Sequence, residues 1–271
     1  MINLRENGKI LRSALVASAL FSVVLSGIAC GNGISTSAPS GGFDTKTAAD
    51  KIAEAEPLYD GREDMTKARS AVTALRQAHA ADYGNYEAAW KLARAAFYVG
   101  DRTDNETEQE AMFREGTDAG KVAVQLQPNK PDGHFWLGAN YGGSAAHSTL
   151  SNFSSFRDIK GEMETALKLE ESYQGYSAYL GLGRLYLQAP KMLGGDPAKA
   201  VEYLEKGVKL NPSNTLMRSE LAAAYEATDR PAEARKQIET LMSITPDPKY
   251  MAEHKQAIEN AQKLLEKINR R

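Results

Sequence analysis

The chain has 271 residues, 25% of them charged, and its formal net charge is -2. This near balance excludes nucleic acid as the main partner, because phosphate binding requires a clear basic excess. The single cysteine excludes a disulfide framework and a cysteine-rich metal centre, and the length suits one large domain or two ordinary ones.

Residues 1–29 predict an export signal. Arg5, Lys9 and Arg12 precede an uncharged stretch over residues 13–28, which is shorter than the ~20 residues of a membrane span. A basic stretch, an apolar stretch and a small residue before a cleavage point are typical of secretory signals.

The junction Ala29-Cys30 ends this signal and resembles the lipobox of bacterial lipoproteins. The resemblance implies cleavage before Cys30, lipidation of its thiol, and anchoring to a membrane of the bacterial cell envelope. Gly31 follows instead of Asp, so by analogy with enteric bacteria we expect the outer membrane rather than the inner one. Gly27 occupies the position where Leu is usual, so two alternatives stay open: an ordinary cleaved signal, which gives a periplasmic protein, and a plain membrane anchor.

The mature chain divides into a tether and a helical domain. Residues 30–47 predict a flexible tether, because Gly and Ser dominate and residues 31–42 carry no charge. Residues 48–271 predict one all-α domain, since good helix formers dominate and apolar residues recur at spacings of three and four.

The helical pattern repeats, most clearly between Thr215 and Pro248. A large–small pair, an aromatic residue, an alanine, two bulky apolar residues and a proline lie at Leu221-Ala222, Tyr225, Ala234, Ile238, Leu241 and Pro246. These offsets resemble the tetratricopeptide repeat (TPR) family. Four earlier units share the pattern, and residues 251–268 predict a capping helix. The resemblance implies an α-solenoid of about five TPR-like hairpins plus this C-terminal capping helix, forming an open arc with a concave groove.

A narrower resemblance rests on residues 133–141, 179–186 and 189–200, with an enlarged loop that contains Pro, Gly-Gly-Asp and Lys-Ala. These segments look like bacterial envelope repeat proteins related to the accessory lipoprotein of some TRAP-type transporters and to the repeat domain of microtubule-dynamics regulators. The resemblance implies no enzyme activity.

Counting along the first helix of each hairpin gives a set of residues expected to face the groove. They are Lys91, Tyr98, Phe135, Asn140, Arg184 and Leu187. Two cations among aromatic rings suit an anionic group, through ion pairing and ring contact. The alternative is a solvated inner face without a binding role.

Three consecutive units carry extra residues at the same place, between their two helices. The segments are 101–106, 144–156 and 188–196, and equivalent turns of a stack lie along one edge. We therefore expect a loop rim beside the groove, with His147 in its middle segment and Tyr141, just before that segment, as a further candidate binding residue. Tolerated insertions without a role are the alternative.

The favoured hypothesis is a non-catalytic scaffold or adaptor that binds a protein or peptide of the cell envelope through the groove and the loop rim. No metal, cofactor or catalytic residue is expected, because no two histidines lie four residues apart and no phosphate-binding loop occurs. The alternative is an accessory transporter subunit that binds or passes an organic acid, which a closed apolar cavity with Lys91 or Arg184 at its mouth would favour. An enzyme would require a polar constellation around Tyr141 and His147.

Overall fold

The computed structural model describes residues 44–147 and 153–270. The predicted signal, Cys30 and most of the tether lie outside the described residues. Within them, eleven α-helices and two short 3₁₀ turns account for the regular structure. The helices are α1 (Thr45–Asp60), α2 (Met65–Ala81), α3 (Tyr86–Arg102), α4 (Glu106–Leu126), α5 (Pro131–His147), α6 (Phe153–Leu169), α7 (Tyr173–Gln188), α8 (Pro197–Leu210), α9 (Thr215–Ala227), α10 (Pro231–Ser243) and α11 (Met251–Asn269), and the turns are Lys191–Leu193 and Pro248–Tyr250.

The helices pack in sequence as five hairpins followed by α11. Each first helix contacts its own second helix, as in α1 with α2 and α9 with α10, and also the first helix of the next hairpin, as in α3 with α5 and α7 with α9. The predicted all-α solenoid of five hairpins with a C-terminal helix is therefore confirmed.

Side-chain caps define where most of these helices begin. An Asp or Asn oxygen accepts a hydrogen bond from a backbone N–H of the first turn in six helices, which leaves fewer N–H groups without a partner. These caps are Asp44, Asp64, Asn85, Asn105, Asp196 and Asn214. Proline occupies the first turn of α8 and α10, where its missing N–H is tolerated.

The start of α7 departs from helical geometry. Gln174, Gly175 and Tyr176 have φ of 48°, 62° and 68°, which is the left-handed region. The side chain of Asn211, after α8, donates a hydrogen bond of 3.0 Å from Nδ2 to the carbonyl oxygen of Gly175. This turn brings Gln174 and Gly175 to the inner surface of the solenoid.

Two buried groups of apolar side chains run along the solenoid. The N-terminal cluster extends from α1 to α7 and includes Leu75, Leu92, Val99, Trp136 and Leu182. The C-terminal cluster extends from α7 to α11 and includes Leu204, Met217, Leu221, Ile238 and Leu241. Because α7 contributes to both clusters, it joins the two halves.

The expected arc of hairpins is present, but it is not fully open, because α11 bridges its two ends. Ala257, Ala261 and Ile268 of α11 belong to the C-terminal cluster, while Ala252 packs against the N-terminal cluster. Arg62, which follows α1, donates a hydrogen bond of 2.8 Å to the carbonyl oxygen of Lys249. The last helix therefore reaches back to the first hairpin across the concave side. No helix in the described ranges is long and apolar enough to cross a membrane.

Candidate functional site

A cavity of about 970 Å³, here called the central cavity, lies on the concave side. All five first helices contribute to its wall, as does α11. Tyr59 of α1, Tyr98 of α3, Trp136 of α5, Arg184 of α7 and Glu220 of α9 all line it. The concave surface predicted from the repeats therefore exists as a partly enclosed space.

One side of the central cavity is apolar and aromatic. Phe135 and Trp136 of α5 pack edge to face with ring centroids 4.9 Å apart, and Phe97 of α3 lies 5.9 Å from Trp136. Trp136 donates a hydrogen bond of 3.2 Å from Nε1 to the hydroxyl of Tyr173, which holds its ring in place. A Cβ at Gly142, on the same wall, would have no atom within 4 Å, so the cavity is open there.

The other side holds a cluster of arginines stacked on tyrosines. The guanidinium of Arg94 lies 3.9 Å from the ring centroid of Tyr59, and that of Arg102 lies 4.0 Å from the ring centroid of Tyr98. Arg62 lies between the two rings, 4.9 Å from Tyr59 and 5.5 Å from Tyr98. Contacts of this kind stabilise a partly desolvated cation by about 0.5–2 kcal/mol.

Carboxylates neutralise each of these arginines. Glu253 of α11 pairs with Arg62 at 3.2 Å, Asp101 pairs with Arg102 at 3.0 Å, and Glu56 pairs with Arg94 at 3.3 Å.

Glu56 also pairs with Lys91 at 2.8 Å. Burial alone would raise the pKa of Glu56, but the hydrogen bond from Lys91 and the charge of Arg94 outweigh burial, so its pKa is lowered overall. Glu56 is therefore held ionised between two cations.

Arg184 occupies a second charged position on the wall. Its Nε lies 2.8 Å from Oε1 of Glu220 on α9. Burial opposes the charged form of Arg184, but Glu220 and the charge of Asp101 outweigh it and raise the pKa of Arg184. The predicted cation is present on the cavity wall, already paired with a carboxylate.

Three of the predicted groove residues line the central cavity: Tyr98, Phe135 and Arg184. Lys91 does not, because its side chain lies against Glu56 and Glu87 on the α1 side of α3. On α3, the cavity is lined toward the end of the helix, where Tyr98 lies, and not at Lys91.

The remaining predicted residues pack into the solenoid. Asn140 is fully buried, and its Nδ2 donates to the carbonyl oxygens of Ala93 at 3.0 Å and Trp136 at 2.8 Å. Tyr141 is half-buried against the N-terminal cluster, and Leu187 packs against the C-terminal cluster. The side chain of His147 lies outside the described residues.

All three inserted segments contribute to the wall of the central cavity, through Asp101, Phe156 and Pro190 among others. They form less loop than expected, because α3 continues to Arg102 and α5 continues to His147. Residues 148–152 of the middle segment lie outside the described residues.

Sequence reasoning missed Tyr59, Arg62, Arg94, Arg102 and Trp136. A signal was present, since Trp90 and Arg94 are four residues apart on α3, as are Tyr98 and Arg102. Residues at this spacing share one face of a helix. An aromatic residue followed four residues later by arginine in a predicted helix thus indicates that the guanidinium can stack on the aromatic ring.

The described residues offer little for metal chemistry. No group of three His, Cys, Asp or Glu side chains is placed to hold a metal ion in residues 44–147 and 153–270. Both ring nitrogens of His134 are engaged, Nδ1 with Glu162 at 2.6 Å and Nε2 with the carbonyl oxygen of Pro128 at 2.9 Å.

Comparison with known proteins identifies a matching family. The model of the family described as regulator of microtubule dynamics protein 1-3 matches residues 51–269. No curated protein matches the chain at a significant level.

Several solved structures are similar. The TPR protein TTC0263 of Thermus thermophilus is 19% identical, with 78% of this chain and 99% of that chain covered and a TM-score of 0.57. A crystal structure of MamA protein is 18% identical, covering 80% and 96% of the two chains, with a TM-score of 0.45. MamA from Desulfovibrio magneticus is 15% identical, covering 72% and 95%, with a TM-score of 0.47. At these identities, TTC0263 shows a shared fold alone.

Proposed function

The chain belongs to the regulator of microtubule dynamics protein 1-3 family, and we propose that it is an exported, lipid-anchored adaptor that binds a segment of another envelope protein in its central cavity. Its fold is a TPR-type solenoid, an architecture whose concave surfaces bind other proteins. The observation that carries the proposal is that all five hairpins present their first helices to one continuous cavity.

The character of the wall favours a protein segment. Uncharged side chains of a partner can pack on Phe97, Phe135 and Trp136 without disturbing any ion pair. Backbone groups of an extended segment can meet the amide and hydroxyl groups that also line the cavity, such as Asn214 and Thr215. Apolar anchors with a few polar contacts are the usual means of segment recognition.

A small organic acid is the second candidate. The bridged arc and the position of Arg184 on the wall favour it, and about 970 Å³ is near the upper end of the ~300–1,000 Å³ of small-molecule pockets. Against it, Glu220, Glu253 and Glu56 already occupy the positions that a carboxylate ligand would take beside the arginines. An acid would have to displace one of these side chains.

The anchoring part of the proposal rests on the sequence around Cys30. A lipid there would hold the solenoid beside a membrane-bound partner and raise its effective concentration. The residue after Cys30 favours the outer membrane, and the tether would allow the solenoid to reach its partner.

Filling the cavity tests the binding site. Gly142→Trp places a large side chain in open space on the cavity wall, so we expect at least tenfold weaker capture of the partner from detergent-solubilised membranes. Gly161→Trp is the matched control, because Gly161 is an exposed helix glycine that also has no atom within 4 Å of a Cβ. Equal capture by both variants would contradict the proposal.

The same variants separate the two candidates. A partner protein captured by the parent chain and by Gly161→Trp supports the adaptor. A thermal shift with small mono- or dicarboxylates that Gly142→Trp abolishes, without any captured protein, supports the transporter subunit instead.

Anchoring is tested with Cys30→Ala. We expect the parent chain to incorporate labelled fatty acid and the variant to incorporate none, because only the parent carries the thiol that accepts lipid. Ser37→Ala, a substitution in the tether, should behave like the parent. A Cys30→Ala chain that incorporates as much fatty acid as the parent would refute lipid anchoring at Cys30.

A further inference from the structure

The bridge between α11 and the first two hairpins is a small polar contact, here called the clasp. Arg62 donates to the carbonyl oxygen of Lys249 at 2.8 Å and pairs with Glu253 at 3.2 Å. Arg102 donates to Oε1 of Gln256 at 3.1 Å. At the outer edge, Lys255 lies 2.9 Å from Glu63. The clasp thus joins the first two hairpins to the C-terminal end of the solenoid through groups that lie 154 to 192 residues apart in the chain.

Two parts of α11 are held by different forces. From Ala257 onward, the helix buries Ala257, Ala261 and Ile268 in the C-terminal cluster. The segment before it, residues 251–256, meets the first hairpins through the polar contacts above and the small side chain of Ala252. Apolar burial is insensitive to charge screening, whereas ion pairs that reach solvent weaken with salt. The clasp is therefore the weaker of the two attachments of α11.

One side of the clasp, Arg62, is held in place by the first hairpins, and the other side, Glu253, is contributed by α11. Arg62 is 6% exposed and is held on the first two hairpins by the ring of Tyr59 on α1 and the ring of Tyr98 on α3. Glu253 is 23% exposed and arrives with α11. Separating the two sides leaves Arg62 stacked on its rings, returns Glu253 to water and withdraws only the small side chain of Ala252 from the N-terminal cluster, so the contact can re-form with little repacking.

The clasp also borders the central cavity. Arg62, Arg102, Lys249, Glu253 and Gln256 all line its wall. Opening the clasp would widen the concave side between α11 and the first two hairpins, and closing it would enclose whatever lies there. In the structure all the contacts of the clasp are formed, which is the closed form.

We propose that the clasp is a gate: it opens to admit the partner segment to the central cavity and closes over it. This inference rests on the proposed function of the central cavity, because a gate needs a site to serve. The gate itself is a property of the free chain and can be measured without the partner.

The test measures the distance across the clasp. Spin labels on Lys67→Cys and Glu259→Cys, in a Cys30→Ala background, lie on exposed positions of α2 and α11 and leave the clasp contacts intact. Double electron–electron resonance should give one short distance between the two spin labels at low salt. In Glu253→Lys, which places a cation beside Arg62 and Arg102, we expect a second, longer distance, with the open-to-closed ratio raised about tenfold as expected for the loss of a charge-assisted contact.

Controls separate gating from general damage. Glu266→Lys makes the same change on α11, where Glu266 pairs with Arg270 just after the helix and not with the first hairpins, and should keep the short distance. About 1 M salt, where the screening length is about 3 Å, should also populate the longer distance in the unmodified clasp. If Glu253→Lys does not fold, Lys255→Glu opposes Glu63 at a more exposed pair. A single unchanged distance in the folded clasp variant and at high salt would overturn the gate.

The outcome is independent of the cavity experiment. If the clasp opens but Gly142→Trp does not weaken partner binding, the gate is supported and the proposed function of the cavity is contradicted. If the clasp stays closed but Gly142→Trp blocks partner binding, the proposed function is supported and the gate is contradicted.

Discussion

Gln174 holds an unfavourable backbone conformation at the entrance to α7. Left-handed geometry costs a residue with a Cβ about 1–2 kcal/mol, and Gln174 adopts it with φ 48° and ψ 41°. Its side chain is exposed, so little packing compensates. The neighbouring Gly175 meets the same demand without strain, and a Cβ there would also lie 2.9 Å from Nδ2 of Asn211.

Replacing Gln174 by glycine should stabilise the chain. We expect Gln174→Gly to raise the free energy of unfolding by about 1 kcal/mol, because the strain at positive φ is relieved. Gln77→Gly, at an exposed position inside α2, should lower it by about 1 kcal/mol, since glycine is a poor residue for a regular helix. Urea unfolding measures both, and a loss of stability in Gln174→Gly would contradict this account.

Only some of the residues that the sequence predicts for the groove lie on the cavity wall. Tyr98, Phe135 and Arg184 were expected on the concave side and line the cavity, because their positions follow from the helical period. Asn140 was expected there too, yet it lies between helices with its oxygen against Gly116. Periodicity gives the direction of a side chain from its own helix axis, but the neighbouring helix decides whether that direction is a groove or an interface.

Glycine sets the closeness of helices within a hairpin. Gly183 of α7 faces Leu204 of α8, and a Cβ at Gly183 would lie 2.4 Å from Cγ of Leu204. Leu204 is fully buried, so its side chain has no room to move aside. The repeat pattern predicted this element well, because a small residue at that offset is what allows two helices of a hairpin to approach.

A single methyl group at this contact should therefore be costly. We expect Gly183→Ala to lower the free energy of unfolding by about 1–3 kcal/mol through overpacking against Leu204. Gly161→Ala, on the exposed face of α6 with open space around it, should raise it by about 0.5–1 kcal/mol. Chemical denaturation measures the free energy of unfolding of both variants. Equal changes in the two would show that the close approach of α7 and α8 does not require a glycine at position 183.

The whole solenoid carries its stability in two clusters that share α7. In a stack where each hairpin touches mainly its neighbours, a local loss of packing weakens the nearby hairpins most. Helix order, hairpin pairing and the capping helix were predictable, since each is encoded within a few dozen residues. The clasp was not, because Arg62 and Lys249 are 187 residues apart and their meeting depends on small rotations summed over five hairpins.

Matched core substitutions should unfold opposite ends first. Leu75→Ala and Leu221→Ala each remove a side chain that is at most 1% exposed, one from each cluster, at an expected loss of about 2–5 kcal/mol. Hydrogen exchange should accelerate most in α1–α3 for Leu75→Ala and in α9–α11 for Leu221→Ala. Uniform acceleration along the chain in both variants would indicate one indivisible cooperative unit.

The meeting of Arg62 with Lys249 also constrains how such a chain can change its length. An open array of repeats tolerates duplication or deletion of a unit, because its far end touches nothing. Here one hairpin more or fewer would turn α11 away from Arg62 and undo the junction. The contact between the two ends therefore fixes the number of hairpins. We expect differences in chain length only in the segments between helices.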